Sequence, residues 1–199
     1  MDFFLLSATA LAVVVLNRYA QAQRIALLSS ELGKFQIEKL METTADGYLR
    51  ALGESDLLRR AQIWNMLGQA ESNLSGQVQA FAKAFAQREK DATRFSTLPV
   101  AVPYAQRWLP FATADMRDLV NLHAQGISAV AANSSGLNQK DRAFMLTAEL
   151  LLFQHSCHWF CRSKVTANAR MMARHKTPHA QLLSSVSAQT REAYLQLVN

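Results

Sequence analysis

Between Leu57 and Phe85, the positions Leu57, Arg60, Trp64, Leu67, Glu71, Leu74, Val78, Phe81 and Phe85 follow one another at intervals of three or four residues without a break. Seven of these nine are apolar. That spacing puts them on one stripe of a long α-helix, and a stripe of this length has to be covered by other helices. Trp64, Phe81 and Phe85 are too bulky for a slim two-stranded coiled coil, so a hairpin or bundle is expected. The rest of the chain agrees. Only seven glycines and four prolines interrupt 199 residues, and no apolar/polar alternation bounded by hairpin turns occurs. The class is all-α, a helical bundle of about five helices.

Three of the four prolines, Pro99, Pro103 and Pro110, fall within STLPVAVPYAQRWLPFATAD. Proline lacks a donor and disfavours helix in the residue before it, so residues 95–112 read as a connector. Its Tyr104, Trp108 and Phe111 suggest that it lies against the body of the protein. Before it, residues 21–94 read as a long helical hairpin. One helix runs from Asn17 to about Thr43, TTADGYLRALGESD forms a loop marked by Gly47 and Gly53, and a second helix runs from a Ser55 or Asp56 cap to about Arg94. After the connector, residues 113–199 form a C-terminal helical subdomain. Thr113 caps a helix ending near Asn133, and Asn138 caps one from Gln139 to Lys176. Thr177-Pro178 then starts a last helix reaching nearly to Asn199.

Residues 1–20 pose a separate question. From Phe3 to Leu16 no side chain is charged. A spanning helix takes about 20 apolar residues, and about 17 at the lower limit. That limit is met only by running to Tyr19 and letting Arg18 snorkel. A cleaved signal is disfavoured by the Met-Asp start, which lacks a basic residue, and by Arg18 between the apolar run and AQA. The expectation is a retained membrane anchor, with a buried or groove-bound helix as the alternative. Arg18, Arg24 and Lys34 follow the run and Asp2 precedes it, which directs the body to the cytoplasmic side.

The stretch LLFQHSCHWFCRSK places both cysteines and two histidines within seven positions. From Ala143 to Cys161, 13 of 19 residues are apolar, as expected of a helix central in a bundle. On a helical wheel His155 and Cys157 point about 160° apart, so the four groups cannot share one ion. At most His158, Cys161 and Cys157 converge, and they are the candidate ligands for zinc or, through a histidine, haem. CHWFC matches neither a C-x-x-C-H haem attachment nor a zinc knuckle. The plain reading is a packed core with no cofactor. A redox-active thiol is a third reading, because Arg162 beside Cys161 could lower a thiol pKa.

Nucleotide-binding, zincin, nucleophile-elbow and di-iron motifs are absent, so no catalytic residue is assigned and the chain reads as non-enzymatic. Glu71 and Glu149 lie on apolar faces and are expected to pair with an arginine, Arg60 and Arg162 being available. The net charge of +6 is concentrated at the C-terminus. From residue 150 onward the only acid is Glu192, against a basic series of Arg162, Lys164, Arg170, Arg174 and Lys176. That series suits an anionic lipid surface. No DNA- or RNA-binding module accompanies it, so nucleic acid is not an expected partner.

Together these features describe a membrane-associated accessory, assembly or scaffold subunit. It would sit on the cytoplasmic face of a bacterial inner membrane and bind other protein subunits through helix contacts. Trp64, Leu67, Leu74, Val78, Phe81, Phe85 and Trp108 are the candidate partner-binding residues. The alternatives are a metal- or haem-binding bundle and a soluble cytoplasmic bundle with its N-terminal helix buried.

Overall fold

The helix boundaries follow from side chains that satisfy the free backbone donors of each first turn. The computed structural model describes residues 2–198, with side chains from residue 5 onward. The first three helices are α1 (Asp2–Leu32), α2 (Ile37–Gly53) and α3 (Leu57–Phe85). Asp56 caps α3, accepting from the amides of Leu58 and Arg59 at 2.8 and 3.1 Å. A short α4 (Lys90–Thr93), the strand β1 (Arg94–Ser96), α5 (Ala105–Trp108), a 3₁₀ turn (Pro110–Ala112) and the strand β2 (Thr113–Asp115) make up the middle. The C-terminal part holds α6 (Met116–Ala131), α7 (Gln139–Cys161), α8 (Lys164–His175), α9 (His179–Ser185) and α10 (Ala188–Val198). The protein is all-α.

About five helices were expected, and ten occur among the described residues. The extra breaks have local causes. The expected helix from Asn17 to Thr43 instead ends at Leu32, where Phe35 turns inward to meet the edge of Phe81 at 5.9 Å. The expected loop at Thr43–Gly53 is helix. Gly47 acts there as a point of close approach and does not break the chain, because a β-carbon on it would overlap the Leu67 side chain. Beyond Cys161, Ser163 accepts from the Thr166 amide at 3.1 Å and starts α8. Ser187 does the same for Thr190 at 3.1 Å and starts α10. Asn138 caps α7 through the Asp141 amide at 2.9 Å. At α6 the cap is Asp115, accepting from the Arg117 amide at 3.0 Å, and not Thr113.

The connector is tied off at its base. β1 and β2 form an antiparallel pair in the register Arg94↔Asp115, Phe95↔Ala114 and Ser96↔Thr113. Arg94 reinforces the closure by donating to the Pro110 carbonyl at 3.0 Å. The intervening residues therefore leave the body and return to the same place.

α3 is the centre of the bundle, packed along α2 on one side and α6 on the other, with α7 closing the core. Phe81 meets Phe153 of α7 at 6.1 Å and Phe85 meets Phe160 at 6.3 Å. Trp64, Leu67, Leu74, Val78, Phe81 and Phe85 are all buried within this single chain. Their assignment as partner-binding residues is therefore corrected. The stripe is covered by the protein's own α2, α6 and α7, and burying each such side chain stabilises the fold by about 1.5–3 kcal/mol.

α1 contrasts with α3. Its C-terminal half packs on α7, yet residues 5–16 are all exposed. The apolar stretch of residues 5–16 is thus left uncovered by the other described residues, while the second half of the helix belongs to the bundle. Among the described residues, one helix, Leu5–Leu32, is long and apolar enough to cross a membrane.

Candidate membrane-proximal site

Three segments converge where the apolar part of α1 leaves the body. Gln21 of α1 accepts from Arg162 Nη1 at 2.9 Å, which fixes the corner between α7 and α8 against the helix. That corner also touches the connector, since the Val165 amide donates to the Pro99 carbonyl at 3.1 Å. On the other flank Ala20, Gln23 and Arg24 share a groove of about 420 Å³ with Val102, Tyr104, Ala105 and Gln106. Tyr104 has a left-handed backbone (φ 54°), which turns the chain out of Val102-Pro103 and into α5. Beyond that turn Trp108 is 76% exposed and Phe111 83% exposed, with Val100 also in solvent.

The charge around this junction is mainly basic. Arg18, Arg107 and Arg162 are exposed, and Lys164 holds its ammonium 4.8 Å above the Trp159 ring. Of the five basic residues singled out at the C-terminus, Arg162 lies just before α8, Lys164, Arg170 and Arg174 lie on it and Lys176 ends it, with Arg170 reaching back to His158 of α7. Trp108 is the one candidate partner-binding residue left open to solvent.

Cys157, His158 and Cys161 do come together, lining a groove of about 190 Å³ with Ile25, Leu28, Glu38 and Met41. That volume is below the roughly 300–1,000 Å³ of ordinary small-molecule sites. Burial raises the Cys157 thiol well above its ordinary value. It also pushes Cys161 up to about 11, and neighbouring Arg24, Arg170 and Arg162 offset this only in part. The expectation that Arg162 would activate a thiol is therefore reversed, because desolvation outweighs its charge. His158 Nδ1 lies 3.0 Å from Arg170 Nη1 and accepts its proton, leaving that nitrogen occupied. No group of three or more His, Cys, Asp or Glu side chains is placed to hold a metal ion among the described residues.

The sequence reading missed a polar interior. His123 Nε2 is 2.9 Å from Ser156 Oγ, and both residues are fully buried. Ser156 Oγ also lies within hydrogen-bonding reach of the Leu152 carbonyl at 3.1 Å. His155 stacks on His179 with ring centres 4.4 Å apart, and its Nε2 bonds to Asn168 Oδ1 at 2.8 Å. Burial lowers His123 to about 3 and His155 and His179 to about 4, so all three are neutral at pH 7.

The two inward carboxylates differ. Glu71 pairs with Arg142, which is neither of the expected arginines, and Tyr48 OH donates to it at 2.6 Å. Glu149 has no arginine. Its Oε1 accepts from the Ser187 amide at 3.1 Å, and burial raises its pKa. Gly126 makes room for it, since a β-carbon there would crowd Glu149 and Thr190. A glycine inside a helical pattern was the available signal for this close approach. These groups knit α6, α7, α9 and α10 together. No family model, curated protein or solved structure matches the chain.

Proposed function

We propose that this chain is a single-pass, membrane-anchored helical accessory or scaffold protein that acts through contacts with other proteins. The observation that carries the reading is the exposed apolar half of α1, where Leu5, Leu6, Leu11, Val13, Val14, Val15, Leu16 and Tyr19 all face outward. Leaving such a helix in water forfeits on the order of 10 kcal/mol of apolar burial, which a bilayer would recover. The apolar run from Phe3 to Tyr19 rises only about 26 Å, against about 30 Å of hydrocarbon. Arg18 snorkels at its edge, and the body is drawn against the membrane surface. The basic residues after the run favour a cytoplasmic body, and a bacterial inner membrane is the setting this fits.

Because the α3 stripe is covered internally, partner contacts belong elsewhere. Leu49, Leu57, Leu58 and Met66 are exposed around the turn between α2 and α3. That turn lies toward the far end of α7, whose 23 residues span about 35 Å from the junction with α1. An anchor at one end and an apolar surface at the other suit a protein that holds a partner near a membrane.

Alkaline carbonate extraction of native membranes tests the anchor, with retention in the pellet expected. Gel filtration in mild detergent tests the partner, with co-elution in a larger assembly expected. A chain released by carbonate and eluting alone would be a soluble bundle, and the proposal would fail.

A further inference from the structure

We propose that the connector, residues 97–112, is a second membrane contact that inserts Trp108 and Phe111 into the headgroup region beside α1. This rests on the anchored reading above. Three separate features of the structure point to it.

The first is level. Tyr104, Ala105 and Gln106 line a groove with α1 between Ala20 and Leu27. From Tyr19, where the run ends, the helix rises about 2 Å to Ala20 and about 12 Å to Leu27. A headgroup layer occupies about 5–7 Å on each side of the hydrocarbon. The start of α5 thus sits at or just beyond headgroup depth, and the short span draws it closer.

The second is shape. Both ends of the connector are held in the β1–β2 pair, and Arg94 bonds to the Pro110 carbonyl and the Thr113 hydroxyl. Trp108 and Phe111 are therefore displayed on a closed loop, and little conformational freedom remains to be lost when they insert. Among the described residues nothing covers these two rings.

The third is chemistry. Indole and phenyl rings on a segment that also carries the exposed Arg107 match the composition of the membrane–water interface, where aromatic rings sit among headgroups and basic groups meet lipid phosphates. The occupant favoured is the bilayer that α1 already enters, because the connector carrying these rings lines a groove with α1 just past its apolar run. Two contacts of this kind would also fix the tilt of the body on the membrane, which one helix alone leaves free.

The three tryptophans make the test direct. Trp64 and Trp159 are buried and Trp108 is exposed, so quenchers in solvent or lipid report mainly on Trp108. The full-length protein is reconstituted into phosphatidylcholine–phosphatidylglycerol vesicles, with and without brominated acyl chains. Emission is compared with Trp108→Phe. The expected result is a blue-shifted Trp108 component that is quenched by brominated lipid, is shielded from acrylamide and disappears in the variant. If the protein floats with vesicles and resists carbonate while Trp108 stays open to acrylamide, the connector contact is wrong and the anchor stands. If the protein does not float, both readings fall. Shielding that needs a co-purifying protein and shows no bromine quenching makes Trp108 a protein contact and overturns the proposal.

Discussion

Arg142 Nη2 lies 2.8 Å from Glu71 Oε2 and joins the first turn of α7 to the middle of α3. The carboxylate is 1% exposed and takes a second bond from Tyr48 on α2, so one buried acid links three helices. Truncating Arg142 to Ala leaves that charge unpaired, which costs about 3–5 kcal/mol. Replacing both partners, as Glu71→Leu with Arg142→Met, is expected to recover most of the loss. Urea denaturation in mild detergent would show both, and equal losses for the single and double variants would contradict the pairing.

Gly47 and Gly53 lie on the same helix and should respond oppositely to alanine. At Gly47 the added methyl meets Leu67, so a loss of about 1–3 kcal/mol is expected. At Gly53 nothing lies within 4 Å, and alanine should be neutral or stabilising by up to about 1 kcal/mol. Thermal melts of the two variants give the comparison.

Acid should unfold the protein through its histidines. His155 and His179 are lowered to about 4 and His123 to about 3, whereas all three bind protons near 6.5 once unfolded. The unfolded state therefore binds more protons below pH 6.5. Stability is fully present above that value and falls by up to about 1.4 kcal/mol per pH unit for each histidine as pH drops. Circular dichroism should show cooperative loss of structure between pH 6 and 4, roughly, and His155→Gln should flatten the slope.

Glu149 has the opposite sign. Its pKa is raised by burial, so the native state holds the proton longer than the unfolded chain does. Its contribution is present below the unfolded value of about 4.3 and is lost as pH rises through the folded value. Glu149→Gln keeps an acceptor for the Ser187 amide and removes the ionisable group. The variant is expected to match or exceed the parent in stability at neutral pH and to weaken relative to it in acid. A parallel pH series of denaturation midpoints decides this.

Burial should also silence both thiols. Cys157 is buried and strongly raised, and Cys161 is raised to about 11, so neither holds much thiolate at pH 7. Reaction with a thiol-specific disulfide reagent should be slow in the native protein and fast in denaturant. Rapid labelling of native Cys161 would point to an exposed, activated thiol instead.

What was legible in the sequence depended on how local the cause was. Asn138 capping α7 and Asp56 capping α3 are contacts within one turn, and both are present at the expected residues. The break at Ser163 rests on an equally local cap, but the surrounding run of helix formers hid it. Gly47 misled because a glycine that breaks a helix and one that lets two helices touch look alike until the second helix is placed.

The N-terminal apolar run, the stripe from Leu57 to Phe85 and the basic C-terminal quarter are properties of residue order, and the all-α class follows from them through helical periodicity. Which apolar surface stays uncovered was decided only by tertiary structure. Folding buried the α3 stripe under α2, α6 and α7 and left residues 5–16 of α1 in the open, because burial depends on which neighbours arrive and not on the stripe alone. The same holds for charge. Glu71 found Arg142 across the bundle while Glu149 met the uncharged Ser187 and Thr190, a difference set by distances between helices far apart in the chain.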